Sequence, residues 1–227
     1  MKNPEAIIFD MDGVLIDSEH IHYKVDIELF NKLGITVTED VHQHYLGMAG
    51  DFMYADLKSR FELSGSMIEL LEFDESFRCD YFERLTVLNP NEGIIGLLNE
   101  IKLAGLKLAV ATSSSPELAR ILMKRCEITS YFDNIVTTSE AGKSKPAPEV
   151  YLLAAQKIGV APSNCIVFED SPIGVSAAKS AGMYCIAIQT NSVDVRTLSA
   201  ADYLVQTFSG MTLNRLYEIC SFICPKK

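Results

Sequence analysis

The chain has 227 residues, enough for one domain of ordinary size plus a smaller inserted or appended one. Its formal net charge of −10 argues against a nucleic-acid binder, because neutralising phosphates along a strand takes a basic face. Hydrophobic residues make up 48%, yet no apolar run reaches the roughly 20 residues a membrane-spanning helix needs, so no membrane partner is expected.

The first predicted element is a strand over Ile7, Ile8 and Phe9, apolar on both faces as in a parallel sheet. It runs into Asp10-Met11-Asp12-Gly13 within the first dozen residues, too early to leave room for a signal peptide. Ile21, Val25, Leu29, Phe30 and Leu33 recur at three- and four-residue spacing, which predicts a helix ended by Gly34. Residues 39–47, 51–63 and 66–86 read as three further helices with no strand alternation among them. A small all-helical domain over 17–89, inserted after the first strand, is therefore expected.

Strand–helix alternation resumes beyond Asn89. A helix over 91–104 precedes a strand from Lys107 to Ala111, and Pro116 sits at the favoured first turn of a helix reaching Arg125. A strand from Asn134 to Thr137, a helix from Ala147 to Ile158 and a buried strand from Cys165 to Phe168 follow. A helix over 173–181, strands at 183–188 and 203–206 and a terminal helix from about 212 finish the chain. Such alternation with short connections predicts an α/β fold with a doubly wound parallel sheet, built from residues 1–16 and 90–227. Cys79, Cys126, Cys165, Cys185, Cys220 and Cys224 show no metal-binding spacing and sit in apolar segments. They read as free thiols in a reducing cytoplasm.

Polar residues cluster where these strands end, and ligands of open α/β sheets bind outside the carboxyl ends of the strands. Asp10 and Asp12, Thr112 and Ser113, Lys145, and Glu169 with Asp170 are delivered there in turn. Carboxylates, hydroxyls and an ammonium group are the parts of phosphoryl transfer, which needs positioning and charge neutralisation. Two buried acids beside an apolar strand call for a cation, and Mg2+ is the expected cofactor, held by Asp10, Asp170 and the backbone carbonyl of Asp12. Asp10 is then the candidate nucleophile and Asp12 the candidate proton carrier. Taken singly, each stretch has a bland structural reading: a solvated turn for Asp10-Met11-Asp12, a helix cap for Thr112 to Ser115 and for Glu169-Asp170, an exposed loop for Lys145. Their joint occurrence at successive strand ends favours chemistry.

Phe9-Asp10-Met11-Asp12-Gly13-Val14, Ala111-Thr112-Ser113, Lys145-Pro146-Ala147-Pro148-Glu149 and Phe168-Glu169-Asp170-Ser171-Pro172-Ile173-Gly174 resemble, in order, the four motifs of the haloacid dehalogenase superfamily. The resemblance spans essentially the whole chain and is nearest to the phosphatase and β-phosphoglucomutase-like branch with a helical cap. It implies a Rossmann-like core, Asp10 as phosphoryl acceptor, Asp12 as general acid and base, Thr112 as a donor to phosphate, Lys145 as the charge between phosphate and nucleophile, and Glu169 with Asp170 on the metal side. It also implies cap motion about Asp17-Ser18 and Asn89–Gly93. Asp12 argues for phosphate chemistry over dehalogenation. Mutases of this type hold a second phosphate with a cap-loop arginine, whereas Leu46-Gly47-Met48-Ala49-Gly50-Asp51 carries no basic residue. The expectation is a phosphatase of a small phosphorylated metabolite, monomeric or weakly dimeric. A sugar phosphomutase is the enzymatic rival and a non-catalytic phosphometabolite binder the other. His22 and Arg78 match basic cap positions loosely and are expected as substrate contacts with Ser113.

Overall fold

The computed structural model describes residues 4–38, 41, 45, 50–190 and 193–223. The chain forms two compact units, Met1–Asp17 with Val87–Lys227, and Ser18–Thr86. Among the described residues no helix is long and apolar enough to cross a membrane.

The second unit is helical: α1 (Glu19–Lys32), α2 (Gly50–Phe61) and α3 (Met67–Arg84). The helix expected over 39–47 falls largely outside the described residues. Leu29, Phe30, Ile35, Tyr54, Leu57 and Leu70 form its core. α3 begins with a capping box, in which Ser66 accepts from the Glu69 N–H and the Glu69 carboxylate accepts from the Ser66 N–H.

The first unit carries one six-stranded sheet: β1 (Ala6–Phe9), β2 (Lys107–Thr112), β3 (Asn134–Thr137), β4 (Cys165–Glu169), β5 (Tyr184–Ile188) and β6 (Tyr203–Val205). All neighbours are parallel and the order is β3-β2-β1-β4-β5-β6. The crossovers use α4 (Ile94–Leu103), α5 (Pro116–Arg125), the single turn α6 (Thr138–Ala141), α7 (Glu149–Ile158) and α8 (Pro172–Ser180), and α9 (Leu213–Ile223) follows β6.

Side chains alternate across the sheet, so each strand feeds two cores. Ile8, Ala109, Ala111, Val167, Cys185 and Ala187 pack with α7 and α8 on one face. Phe9 and Phe168, paired in register, stack on the opposite face with ring centroids 5.1 Å apart, and Phe208 lies 5.2 Å from Phe168. β1 is fully buried, as a continuous apolar run in a doubly wound sheet requires. The chain departs from β1 first toward β2 and β3 and later toward β4, so the strand order reverses beside β1. The crevice where open sheets bind ligands therefore opens at the carboxyl ends of β1 and β4.

Candidate active site

The residues that leave β1 turn at once. Asp10 N–H donates to the Phe168 carbonyl at 2.9 Å, which extends the ladder by one residue and aims Asp10 over the end of the sheet. Met11 O then accepts from Leu15 and Ile16, while Gly13 N–H donates to Ile16 O at 2.9 Å, closing a tight loop. Asn91 pins this loop from the returning chain: its Nδ2 donates to Gly13 O at 2.9 Å and to Val14 O at 2.7 Å. Gly13 has a φ of +76° and lies directly against the Asp170 carboxylate, which any Cβ there would overlap. Glycine meets both demands at once.

Lys145 is the centre of the site. Its ammonium donates to Asp10 Oδ1 at 2.5 Å, to Glu169 Oε1 at 2.6 Å and to the Ala111 carbonyl at 3.2 Å. The three side chains are almost wholly enclosed, with exposures of 3% for Lys145, 10% for Asp10 and 0% for Glu169. Glu169 is the more fully served of the two acids. Oε1 also accepts from the Tyr151 hydroxyl at 2.8 Å, and Oε2 accepts from Asp170 N–H, Ser171 N–H and Ser171 Oγ at 2.9–3.0 Å.

The titration of the site follows from this inequality. Burial raises Glu169, but Lys145 and the surrounding donors outweigh it and hold the carboxyl below the usual range. Burial pushes Asp10 above the usual carboxylate range against the pull of Lys145, with Glu169 adding repulsion. Burial disfavours the Lys145 ammonium as well, yet Asp10 and Glu169 together hold it above the ordinary lysine range, so it stays charged. Asp10, Glu169 and Asp170 each offer an oxygen, all within 4.8 Å of one another, and this is a donor set that suits a hard divalent cation.

Asp12 stands apart from this cluster. It is half-buried and accepts from Ser114 Oγ at 2.7 Å, so the loop after β2 orients it. Thr112, the last residue of β2, is buried with its Oγ1 accepting the Ser114 N–H at 3.0 Å, and Ser113 beyond it is exposed. Ser115 caps α5 by accepting the Leu118 N–H. Thus Asp10, Lys145, Glu169 and Asp170 converge directly, with Asp12 and Ser113 on the two loops beside them and Thr112 at the end of β2. His22 and Arg78 belong to the helical unit. The His22 ring lies 4.9 Å from that of Phe82. Arg78 is bound by two carboxylates, Asp26 at 2.7 Å and Asp74 at 2.9 Å, and Asp74 also accepts from the Tyr54 hydroxyl at 2.9 Å. Of the loop at 46–51, residues 46–49 lie outside the described set.

Sequence reasoning did not find Ser114, Tyr151, Asn91 or Gly174. Gly174 lets the first turn of α8 close over Glu169, because a Cβ there would fall within that carboxylate. Gly174 lies inside the fourth motif, and a glycine two residues after a proline at a helix start is the signal that could have found it. Tyr151 carried no such hint, since one tyrosine on an apolar helix face reads as core.

Comparison with known proteins identifies the family. The chain matches the haloacid dehalogenase-like hydrolase family over residues 7–188. It is 35% identical over 216 residues to the phosphorylated carbohydrates phosphatase of Thermotoga maritima, covering 95% of this chain and 99% of that protein. It is 29% identical over 222 residues to the β-phosphoglucomutase of Bacillus subtilis, with 94% of each covered. Its fold superposes with a TM-score of 0.81 on a mutant CbbY from Rhodobacter sphaeroides in complex with xylulose 1,5-bisphosphate, at 26% identity over 91% of this chain and 95% of that one. With the four motifs in place and most of its length matched, the chain belongs to the haloacid dehalogenase-like hydrolase family.

Proposed function

We propose that the protein is a magnesium-dependent phosphatase of a small phosphorylated metabolite, a sugar phosphate, acting through an aspartyl-phosphate at Asp10. The observation that carries this reading is the buried ammonium of Lys145 set 2.5 Å from Asp10 Oδ1 beside the acid group formed with Asp170. A carboxylate beside a fixed cation is poised to attack phosphorus, because the charge that builds on the phosphoryl oxygens meets an ammonium already in place. Asp10 and Asp170, with the Asp12 carbonyl, are the groups we assign to the ion. Glu169 lends its charge from behind, since both its oxygens already accept hydrogen bonds. When bound, magnesium neutralises phosphate charge and lets the anionic ester approach these acids.

The reaction then runs in two steps. An Asp10 oxygen forms a bond to phosphorus as the ester P–O bond breaks, and Asp12 gives its proton to the departing alkoxide. Asp12 next takes a proton from water, whose oxygen attacks the phosphoryl group, releasing inorganic phosphate and restoring Asp10. Ser114 holds Asp12 in line for both transfers. Thr112 and Ser113 supply donors to the phosphoryl oxygens. Ser18–Thr86 is assigned the part of a cap that selects the ester. The phosphatase of phosphorylated carbohydrates that the chain resembles supports the sugar-phosphate class.

The test is phosphate release from a panel of sugar phosphates and p-nitrophenyl phosphate, with magnesium and with chelator. Metal-dependent turnover that Asp10→Asn abolishes without unfolding is expected; turnover by the variant excludes Asp10 as nucleophile. The similarity to a β-phosphoglucomutase keeps a sugar phosphomutase as second reading. Glucose 6-phosphate appearing from β-glucose 1-phosphate and catalytic bisphosphate ahead of free phosphate would establish it instead.

A further inference from the structure

We propose that Tyr151 is a positioning residue that sets how Lys145 is divided between Asp10 and Glu169. The proposal rests on the reading of Asp10 as nucleophile. Lys145 has three N–H hydrogens and three acceptors, Asp10 Oδ1, Glu169 Oε1 and Ala111 O, so its ammonium is fully subscribed. Two of those acceptors are carboxylates that compete for it. The Tyr151 hydroxyl donates at 2.8 Å to Glu169 Oε1, the same oxygen that Lys145 contacts, and its ring centroid lies 5.0 Å from Nζ. Tyr151 and Glu169 are both wholly enclosed, so no water takes the place of either contact.

The hydroxyl therefore satisfies part of the Glu169 charge and weakens its hold on the ammonium. Without it, Oε1 has Lys145 as its one remaining donor, and the shorter hydrogen bond forms toward Glu169 at the expense of Asp10. That shift matters during turnover. Once Asp10 is phosphorylated its carboxylate charge has moved onto the phosphoryl group, and Lys145 must follow it. An ammonium captured by Glu169 follows less readily, which slows chemistry while leaving the binding of the ester largely intact. Tyr151 sits on α7, outside all four motifs, within the core that α7 and α8 form on one face of the sheet.

Tyr151→Phe keeps the ring and removes only the hydroxyl. Its kcat should fall roughly 10-fold, the scale of one hydrogen bond to a charged group, with KM within about 2-fold of wild type. In the Glu169→Gln background the same change should have little further effect on kcat, since the hydroxyl acts through that carboxylate. A crystal structure of Tyr151→Phe should show Nζ drawn away from Asp10 Oδ1 and still bound to Glu169. Wild-type kcat in the single variant, or multiplicative effects in the double, overturns the proposal. So does a Lys145 that still bridges both acids in the Tyr151→Phe crystal. Failure of the phosphatase reading is seen separately, as wild-type protein that releases no phosphate from any ester, and the crystal structure then still decides the position of Lys145.

Discussion

Gly174→Ala is a small change with a large expected effect. Gly174 lies in the first turn of α8, where its N–H donates to Ser171 Oγ at 3.1 Å, and alanine would ordinarily favour a helix by about 1 kcal/mol. Here the added methyl falls within the Glu169 carboxylate, far inside the separation real carbon and oxygen atoms keep. Either α8 moves off the sheet or the carboxylate leaves its place. The second route breaks contacts with Lys145, Tyr151, Asp170 and Ser171, all between 2.6 and 3.0 Å. Losing two bonds to a buried charge costs about 1.5–3 kcal/mol each, so a net loss of about 2–5 kcal/mol is expected after the helix gain. Because Glu169 holds Lys145, phosphate release should fall at least 10-fold as well. Gly96→Ala is the control: it lies exposed in α4 with nothing near a new Cβ, and should stabilise slightly. Urea denaturation and phosphate-release assays of the two variants give the comparison. A Gly174→Ala protein as stable and as active as wild type would refute the packing argument for this turn.

Ser114→Ala should lower kcat about 3- to 10-fold with KM nearly unchanged, because Asp12 loses the hydroxyl that orients it but ester binding does not depend on it; equal kcat values would remove Ser114 from the site. Arg78→Met leaves the partly buried Asp26 and Asp74 without their cation, so the helical unit should lose about 2–4 kcal/mol in thermal or urea unfolding. A raised KM with unaltered stability would instead make Arg78 a substrate contact. Burial pushes the Cys126 thiol up to about 11 and Cys165 up to about 12, so at pH 8 the thiolate of Cys126 is only about one part in a thousand. Iodoacetamide labelling read by mass spectrometry should spare both in the native protein and modify them after unfolding; rapid native labelling would show that these strands and helices open readily.

The element order was legible because each strand of the sheet is a short run of apolar residues bounded by turn chemistry. Pro116 at N1 and Gly159 after α7 fixed the helix ends to within a residue or two. What escaped were pieces too short to show a period, α6 and the 3₁₀ turns at Thr129–Tyr131, Pro162–Asn164 and Val195–Leu198. The site was legible where chemistry-bearing residues follow strands, which topology alone brings together: Asp10 and Asp170 end neighbours, and Lys145 lies one crossover away. The residues that support them were not. Ser114 was one hydroxyl in a run of four, Thr112 to Ser115, and only the path of the loop decides that it, not Ser113, meets Asp12. Tyr151 reads as core by every sequence criterion and is core, with one polar atom whose partner no spacing discloses.

The cluster around Lys145 also shows which way stability and chemistry pull. Enclosing one ammonium and two carboxylates together carries a large desolvation cost, and apolar residues of the same size often serve a fold as well as a buried ion cluster. The fold reduces that penalty in a particular way. Two backbone N–H groups at the start of α8 and the Tyr151 hydroxyl settle the charge of Glu169, and the helix end favours an anion there. Asp10 receives no such support: beyond Lys145 its carboxylate has the acids Glu169 and Asp170 for neighbours. The stabilising contacts thus go to Glu169, while Asp10, the nucleophile under the proposed mechanism, has Lys145 as its cationic partner. A nucleophile in that condition gains when an arriving phosphoryl group takes up its oxygen, and the ammonium that must meet the new charge is already within reach.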